Sequence, residues 1–494
     1  MPTAAFSTKE NDPLAQFTAP PPNETEEQKI TRLREEAEAK RISDAIDEEL
    51  QQEDKASKKG TAPVKILLLG QSESGKSTTL KNFQLMNSPK TFKAERASWR
   101  AVIQLNVVRS IRLILEAMAE IQALNSGSTS RPPTSSGALQ TSPSSSSGSP
   151  IPRLTHDHLK LRMRLMPLLQ VEEVLIRKLT PAGSGEFEAT HLAHVTNIPG
   201  PTLAKIKEKE VAVNSQFAWK GVFNKFISTT RESFDSESID WDDPEDPGRV
   251  IYACGEDMIR LWKDPTIRQV LRNQELRLED QPGFFLDCLD RITQPKYMPT
   301  NDDILRARLK TLGVTEYKFT IKEENRLGLG GITREWKIYD VGGQRSLVTA
   351  WAPYFDDVNV ILFLAPISAF DQVLAEDPSV NRLEDSVILW KSIVSNQLLF
   401  KTNIVLFLNK IDIMKAKLQS GIRFAEHIIS YGDRPNDYEN TSSYLKRKFQ
   451  QIFKEHSPKE RPFYCHFTNV SDPKATSLIL TDVQDTIIRR NLVL

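Results

Sequence analysis

The chain has 494 residues and equal numbers of acidic and basic side chains, so its formal net charge is zero. This length allows two or three domains, and the neutral balance gives no sign of nucleic acid as a partner. The cysteines Cys254, Cys288 and Cys465 are far apart and odd in number. Their spacing excludes a disulfide framework and a cysteine metal site, and it indicates reduced thiols in a cytoplasmic protein.

The N-terminal segment has no predicted targeting signal, and it contains a predicted charged helix. Its first residues, MPTAAFSTKENDPLAQF, lack a basic stretch followed by an apolar one, so no signal peptide is predicted. Residues 24–57 contain no glycine or proline and are rich in helix formers, with a thin apolar stripe at helical spacing. This helix is too polar for a core. It is either a solvated arm or a helix that docks on a partner.

Short apolar runs then predict strands, and helical patterns separate the later ones. The predicted strands are 63–69, 317–321, 335–339, 358–364, 403–408 and 462–467, with a hairpin around residues 328–331. The predicted helices among them are 379–395, 438–456 and 481–492. Nearly continuous apolar strands alternating with helices predict an α/β fold with a mostly parallel sheet that carries helices on both faces.

The stretch from residue 87 to residue 303 interrupts this alternation. Helical patterns at 99–123, 257–262 and 284–293 predict an inserted all-α domain. Within it, the Ser/Pro/Gly-rich segment at about 126–152 is predicted to be disordered, and a mixed segment extends to about residue 248. The predicted organisation is an N-terminal arm (1–60), a sheet domain in two parts (61–90 and 303–494) and the helical insert (91–302).

Residues 70–78, GQSESGKST, match the Walker A pattern and lie between a predicted strand and a helix. The backbone N–H groups of such a loop face inward and suit a polyphosphate. Lys76 can reach the β- and γ-phosphates, and the Ser77 hydroxyl can ligate Mg²⁺. The residues of this loop predicted to bind nucleotide are Gly70, Glu73, Ser74, Gly75, Lys76, Ser77 and Thr78.

The tetrapeptide NKID at 409–412 follows a predicted buried strand and indicates guanine. A carboxylate at Asp412 can accept hydrogen bonds from the ring N–H and the exocyclic amine of guanine, whereas adenine offers no such pair of donors. The stem of Lys410 can lie along the purine face. We expect Asn409, Lys410 and Asp412 to bind the base.

The sequence DVGGQ at 340–344 ends another predicted strand. Asp340 would hold Mg²⁺ through water, and Gly343 can bring its N–H close to the γ-phosphate. Gln344 can orient a water for in-line attack, so it is a candidate catalytic residue.

These motifs, together with LRARLKT (305–311) and TNV (468–470), resemble the α subunits of heterotrimeric G proteins. The resemblance covers residues 62–125 and 250–494, and it includes LAEDPSVNRLEDS (374–386) and IIRRNL (487–492). It implies a Ras-like P-loop GTPase domain with an inserted all-α helical domain and an N-terminal helix. It also implies GTP or GDP and Mg²⁺ as ligands, and a Gβγ dimer and a G protein-coupled receptor as partners at the cytosolic face of the plasma membrane.

The resemblance also assigns roles to residues that spacing alone does not. Arg308 matches the arginine finger supplied in cis, and it would act with Gln344 in catalysis. Thr311 matches the second Mg²⁺ ligand beside Ser77, and Glu73 matches the loop glutamate that pairs with the arginine. The further positions that it places at the nucleotide are Leu305, Arg306 and Val470.

The chain departs from the family pattern at several points. Pro2 replaces the glycine needed for myristoylation, and no cysteine lies nearby, so no lipidation is expected. The segment LVTA (347–350) replaces a charged run, and the chain ends a few residues short of the usual receptor-binding tail. These changes put Gβγ and receptor binding in question. In the phosphate loop, Gln71 and Ser72 replace alanine and glycine.

The sequence therefore predicts a guanine-nucleotide switch that binds GTP and hydrolyses it, with an unknown effector. The alternative is a GTP-binding scaffold with little or no hydrolysis, which Ser72 and residues 347–350 favour. An ATP-using P-loop enzyme is disfavoured by the turn at 409–412.

Overall fold

The computed structural model describes residues 26–59, 63–127, 152–179, 212–214, 243–274, 276–312, 314–323, 332–343, 358–374 and 377–491. The predicted hairpin turn at 328–331, most of the low-complexity segment and Gln344 lie outside these residues. The chain divides into two units, Met1–Pro63 and Val64–Leu494.

The described part of the first unit is one helix, α1 (Glu26–Lys59). Its apolar side chains Ile30, Leu33 and Ile42 are about half exposed, at 60%, 49% and 52%. Ion pairs within the helix, such as Arg32–Glu36 at 2.7 Å, supplement its helix-forming composition. The polar helix predicted at 24–57 is thus present over the residues that can be described.

The second unit is built on a six-stranded sheet with the strand order β4-β5-β1-β6-β7-β8. Only the β4–β5 pair is antiparallel, and the other neighbours run parallel. The strands of the sheet are β1 (Val64–Leu69), β4 (Val314–Glu323), β5 (Ile332–Val341), β6 (Val360–Pro366), β7 (Asn403–Asn409) and β8 (Tyr464–Thr468). Two further short strands, β2 (Ala212–Asn214) and β3 (Lys310–Leu312), pair in parallel with each other.

Helices cover both faces of the sheet, and the central strands are largely apolar. Every residue of β6 is buried, as expected for a strand with helices on both sides. Two hydrophobic clusters fill the two faces, one around Trp390 and Phe449 and the other around Trp336 and Phe83. The helices of this part are α2 (Lys76–Asn87), α12 (Arg382–Val394), α13 (Ile411–Gln419), α14 (Phe424–His427), α15 (Tyr438–His456) and α16 (Pro473–Asn491).

Between α2 and β3 the described chain is mainly helical. Its helices are α3 (Pro89–Ala94), α4 (Arg96–Gly127), α5 (His156–Leu165), α6 (Pro167–Leu179), α7 (Pro247–Ala253), α8 (Gly255–Lys263), α9 (Pro265–Asn273), α10 (Leu289–Ile292) and α11 (Asn301–Arg306). The long helix α4 packs against α6 and α9, and its apolar side chains form the centre of a separate hydrophobic core. The three-residue strand β2 was not expected in this region. Among the described residues, no helix is both long enough and apolar enough to cross a membrane.

Candidate active site

The carboxyl ends of the parallel strands meet at one edge of the sheet, where ligands of α/β proteins bind. There the loop after β1, the end of β5, the turn after β7 and the loop after β8 line a cavity of about 730 Å³. The predicted residues that line it are Glu73, Gly75, Lys76, Ser77, Thr78, Leu305, Arg306, Arg308, Asp340, Gly343, Asn409, Lys410, Asp412 and Val470. Gly70 and Ser74 lie in the same loop but do not line the cavity.

The loop after β1 has the backbone shape of a phosphate cradle. Gly75 has a φ of +106°, and a Cβ there would lie 2.4 Å from Asn409 Nδ2, so only glycine fits. Helix α2 begins directly after Gly75, and no side chain caps its first turn. The backbone N–H groups of that turn are therefore available to an anion, and the helix dipole favours negative charge there.

Lys76 and Asp340 bring buried charges to the base of the cradle. Lys76 Nζ donates to the carbonyl oxygens of Gly70 and Gln71 at 2.8 and 2.7 Å. Burial lowers the pKa of Lys76 to about 8, although Asp340 opposes the shift. Burial likewise raises the pKa of Asp340, against the influence of Lys76 and of the Ser77 hydroxyl, which donates to Asp340 Oδ2 at 2.7 Å. A polyphosphate would give the lysine a strong counter-charge.

Asn409 lies in the guanine-reading motif, yet its side chain contacts protein. It is fully buried, and its Nδ2 donates to Ser74 O at 2.7 Å. Its Oδ1 accepts from Thr468 Oγ1 at 3.0 Å and from Val470 N at 3.3 Å. Asn409 thus ties the phosphate loop to the turns after β7 and β8, and its direct contact with the base stays a prediction.

The next two motif residues do face the cavity. Lys410 adopts a left-handed backbone with φ 65°, which turns the chain sharply into α13. Asp412 follows in the first turn of α13 and is exposed. Burial lowers the pKa of Lys410 to about 8. The turn thus presents one carboxylate and one long side chain to the same space.

Arg308 lies at the opposite wall, on the segment after α11. Its Nη1 donates to Glu73 Oε1 at 2.5 Å, so the pair implied by the resemblance is present. Arg382, on α12, contacts the other Glu73 oxygen at 3.2 Å. Burial acts to raise the pKa of Glu73, but Arg308, Arg382 and Lys410 outweigh it and hold that pKa well below its usual value.

Several contacts around this wall were not predicted. The Asn106 side chain, on α4, donates to Arg308 O at 2.9 Å and accepts from Arg308 N at 2.8 Å. Lys81 Nζ donates to the carbonyls of Ile304 and Ala307 at 2.9 and 2.8 Å. No local pattern reveals such contacts, because their partners lie hundreds of residues apart in the sequence. Arg382 lies within the resembling stretch 374–386, which was the one available signal.

The side chains of two predicted residues lie outside the part that the structure describes. Gln344 lies outside the described residues. Thr311 belongs to strand β3, but its side chain is likewise outside the part that the structure describes. Their predicted roles remain predictions.

A parallel sheet whose strand ends present a phosphate loop, a buried carboxylate and a turn suited to guanine defines a P-loop nucleotide-binding protein of the GTPase class. The family model described as G-protein alpha subunit matches residues 40–487. The chain therefore belongs to the family of G-protein alpha subunits.

Similar proteins agree with this assignment. The guanine nucleotide-binding protein alpha-4 subunit of Mycosarcoma maydis is 31% identical, over 98% of this chain and 95% of that protein. The alpha-1 subunit of the same organism is 29% identical over 91% of this chain and 94% of its own length. The alpha-2 subunit of Neurospora crassa is 29% identical over 92% and 96%. As a member of this family, the protein is a GTP-binding signalling switch with a Ras-like GTPase domain and a helical domain, and it hydrolyses GTP.

Proposed function

We propose that the protein hydrolyses GTP in the cavity at the strand ends, with Arg308 and Gln344 as its catalytic residues. The observation that supports this most is the position of Arg308, which lines the cavity and pairs with Glu73 of the phosphate loop at 2.5 Å. A guanidinium there can transfer from Glu73 to the γ-phosphate and stabilise the charge of the transition state, a role for which Gα subunits are themselves the standard example. Gln344 directly follows Gly343 in the sequence, and it would orient the attacking water.

The phosphates would lie along the first turn of α2, and the base would lie by the turn after β7. Gly75, Lys76, Ser77 and Thr78 offer backbone N–H groups and the Lys76 ammonium to the phosphates. At the other end, Asp412 would accept from both guanine donors while Lys410 covers the purine face. Asn409 supports this selection indirectly, because its three hydrogen bonds hold the two turns together.

The residues beside the phosphate loop also fit Mg²⁺. This ion prefers oxygen ligands, and Ser77 Oγ and the Asp340 carboxylate are neighbours at 2.7 Å. Asp340 Oδ1 is buried and has no hydrogen-bond partner among the described residues, so it can hold a water of the ion's shell. We propose Ser77 and Thr311 as direct ligands. When bound, Mg²⁺ would neutralise charge on the β- and γ-phosphate oxygens.

The domain boundaries proposed are 61–90 and 303–494 for the GTPase domain and 91–302 for the helical domain, with 1–60 as an N-terminal arm. The two parts of the GTPase domain supply all strands of the six-stranded sheet, which supports this division. The buried side chains of the core around α4 come from residues between Phe92 and Ala307, close to the proposed bounds of the helical domain.

Gα subunits as a class act with a Gβγ dimer and receptors. We propose both as partners here, with no effector assigned. The exposed Ile30, Leu33 and Ile42 of α1 favour a docking helix over a purely solvated arm. Residence at the cytosolic face of the plasma membrane would then depend on these partners.

Single-turnover hydrolysis from preloaded GTP tests the catalytic assignment, because nucleotide release cannot mask chemistry. We expect the parent protein to release phosphate and Gln344→Leu to do so much more slowly with GTP still bound. If Gln344→Leu hydrolyses GTP as fast as the parent protein, the catalytic role of Gln344 is refuted. GTP binding without any turnover in the parent would favour the scaffold instead.

A further inference from the structure

Gln71 belongs to the phosphate loop, but its side chain does not line the nucleotide cavity. The residue is only 3% exposed, and its Nε2 donates to Asp385 Oδ2 on α12. Since a carboxylate only accepts, the amide nitrogen has to face Asp385, which fixes the orientation of the glutamine. Asp385 is itself buried, at 6% exposure. The glutamine therefore binds the loop to a helix and does not face the ligand.

The first turn of α12 contacts the loop at two more points. Arg382 Nη2 donates to Ser72 O at 2.9 Å, and its Nη1 contacts Glu73 Oε2 at 3.2 Å. Arg382 and Asp385 are three residues apart, so they lie on the same face of the helix. Asn381 caps this turn by accepting from the backbone N–H groups of the second and third residues. One capped helical turn thus anchors residues 71–73, and Gln71 is the anchor nearest to β1.

The opposite side of the same loop segment supports Gly343. Ser72 N donates to Gly343 O at 2.9 Å. A Cβ at Gly343 would lie 2.4 Å from Gln71 C and from Ser72 N, so the loop backbone packs directly on this glycine. Gly343 immediately precedes Gln344 in the sequence. The backbone of residues 71–72 therefore constrains the position of Gly343, the residue before Gln344.

We propose that Gln71 is a positioning residue for GTP hydrolysis: its hydrogen bond to Asp385 holds the backbone of residues 71–72 against Gly343. This inference rests on the proposed role of Gln344. In the first turn of α2, the backbone N–H groups do not contact the Gln71 side chain, and Lys76 Nζ donates to Gly70 O at 2.8 Å as well as to Gln71 O at 2.7 Å, so a small shift of residues 71–72 leaves the lysine held. Loss of the bond therefore acts on transition-state geometry and leaves ground-state binding nearly unchanged. The alanine that the family usually has at this position lacks the amide for such a bond.

Single-turnover hydrolysis and GTP affinity are compared in Gln71→Ala, in Gln71→Glu and in the double variant Gln71→Glu/Asp385→Asn. We expect Gln71→Ala to slow hydrolysis about tenfold while GTP affinity changes less than about threefold, because small losses of alignment act mainly on the chemical step. Gln71→Glu should be slower still, since two carboxylates then face each other. Adding Asp385→Asn to Gln71→Glu should recover about tenfold, because the new amide can donate to the new carboxylate.

Glu384→Gln is the matched control, because this exposed carboxylate lies in the same helical turn and should leave both quantities unchanged. The proposal is overturned if Gln71→Ala hydrolyses GTP at the parent rate while Gln344→Leu is slow. It is also overturned if rate and affinity fall together, or if the double variant shows no recovery over Gln71→Glu. A parent rate for Gln344→Leu would overturn the inference and the proposed catalytic role alike.

Discussion

Asn409 has no exposed surface, and its side-chain amide joins three segments of the site. The sequence motif correctly placed this residue at the cavity, because strand ends in a parallel sheet share one edge. It could not show that the amide bonds Ser74, since that partner lies more than three hundred residues away. At the residue scale, motifs thus predict which residues lie close together at the site. Which contacts each side chain makes depends on the tertiary fold.

Asp412 should determine which base is bound. Asp412→Asn replaces an acceptor of two donors with a group that can satisfy only one of them. Since hydrogen bonds to charged groups contribute about 1.5–3 kcal/mol each, GTP binding should weaken by at least about tenfold. Competition against labelled GDP measures this, with Asp433→Asn, an exposed aspartate, as the control. Displacement of GDP by ATP as readily as by GTP from the parent protein would refute the guanine assignment.

Ser72 should limit the rate of hydrolysis. Ser72 lines the cavity, and its backbone N–H donates to Gly343 O, next to the expected place of Gln344. A hydroxymethyl group there can crowd the glutamine or hydrogen-bond the water in its place. Ser72→Gly should therefore speed single-turnover hydrolysis and barely change GTP affinity. Equal rates for the variant and the parent would show that the serine is harmless.

Helix α16 shows that the apolar pattern of a sequence can predict a helix without giving the residue at which it begins. Its apolar pattern predicted a helix at 481–492, whereas the helix begins at Pro473. The earlier start is encoded by Asp472, which accepts from the N–H groups of Lys474 and Ala475, and by the proline that follows it. The apolar strands were predicted more closely, because continuous burial leaves a plain apolar run. Helix starts depend on single capping residues, so periodicity alone misplaces them.

Helix α11, which leads to Arg308, depends on Asp303. The carboxylate completes the capping box of this helix by accepting from the Thr300 N–H at 2.9 Å, and it pairs with both Arg291 Nη atoms at 2.7 Å. Asp303→Asn should lower the free energy of unfolding by about 2 kcal/mol at neutral pH, since it weakens the cap and the ion pair. Urea unfolding with GDP present measures this, and Asp302→Asn, an exposed neighbour, should cost less than about 0.5 kcal/mol.

The difference in free energy of unfolding between the parent and Asp303→Asn should depend on pH, because folding changes the pKa of Asp303. Burial acts to raise this pKa, but bonds from Arg291, Thr300 and Tyr297 outweigh it and lower it to about 2. A carboxylate whose pKa is lowered by folding stabilises the folded state at any pH above its pKa in the unfolded chain. This stabilisation is lost as the pH falls and the carboxylate becomes protonated in the folded state. The parent and Asp303→Asn should therefore converge in stability as the pH falls from about 4 to about 2. A constant difference across that range would contradict the assigned role.

At the scale of the whole molecule, the helical core and the sheet are joined at the site itself. Asn106 of α4 bonds both backbone groups of Arg308, and Lys417 of α13 pairs with Asp280 of the insert at 3.4 Å. The sequence predicted an insert from the break in strand–helix alternation. It gave no sign of these links, because each joins residues that are distant in the chain.

Asn106→Ala, a substitution in the helical core, should therefore slow GTP hydrolysis. Without the amide, the backbone of Arg308 loses both of its bonds to α4, and the guanidinium is less well aligned. We expect single-turnover hydrolysis to slow by about tenfold, while GTP affinity changes little. An unchanged rate would show that Glu73 alone suffices to position Arg308.

The central claim is that Arg308, carried on the segment that returns from the helical core, supplies the charge for GTP hydrolysis. The most direct measurement is single-turnover phosphate release from preloaded GTP by Arg308→Leu, with Arg249→Leu, an exposed arginine, as the matched control. We predict that Arg308→Leu still binds GTP but hydrolyses it about a hundredfold more slowly or worse, and that the control matches the parent. Hydrolysis by Arg308→Leu at the parent rate would contradict the claim.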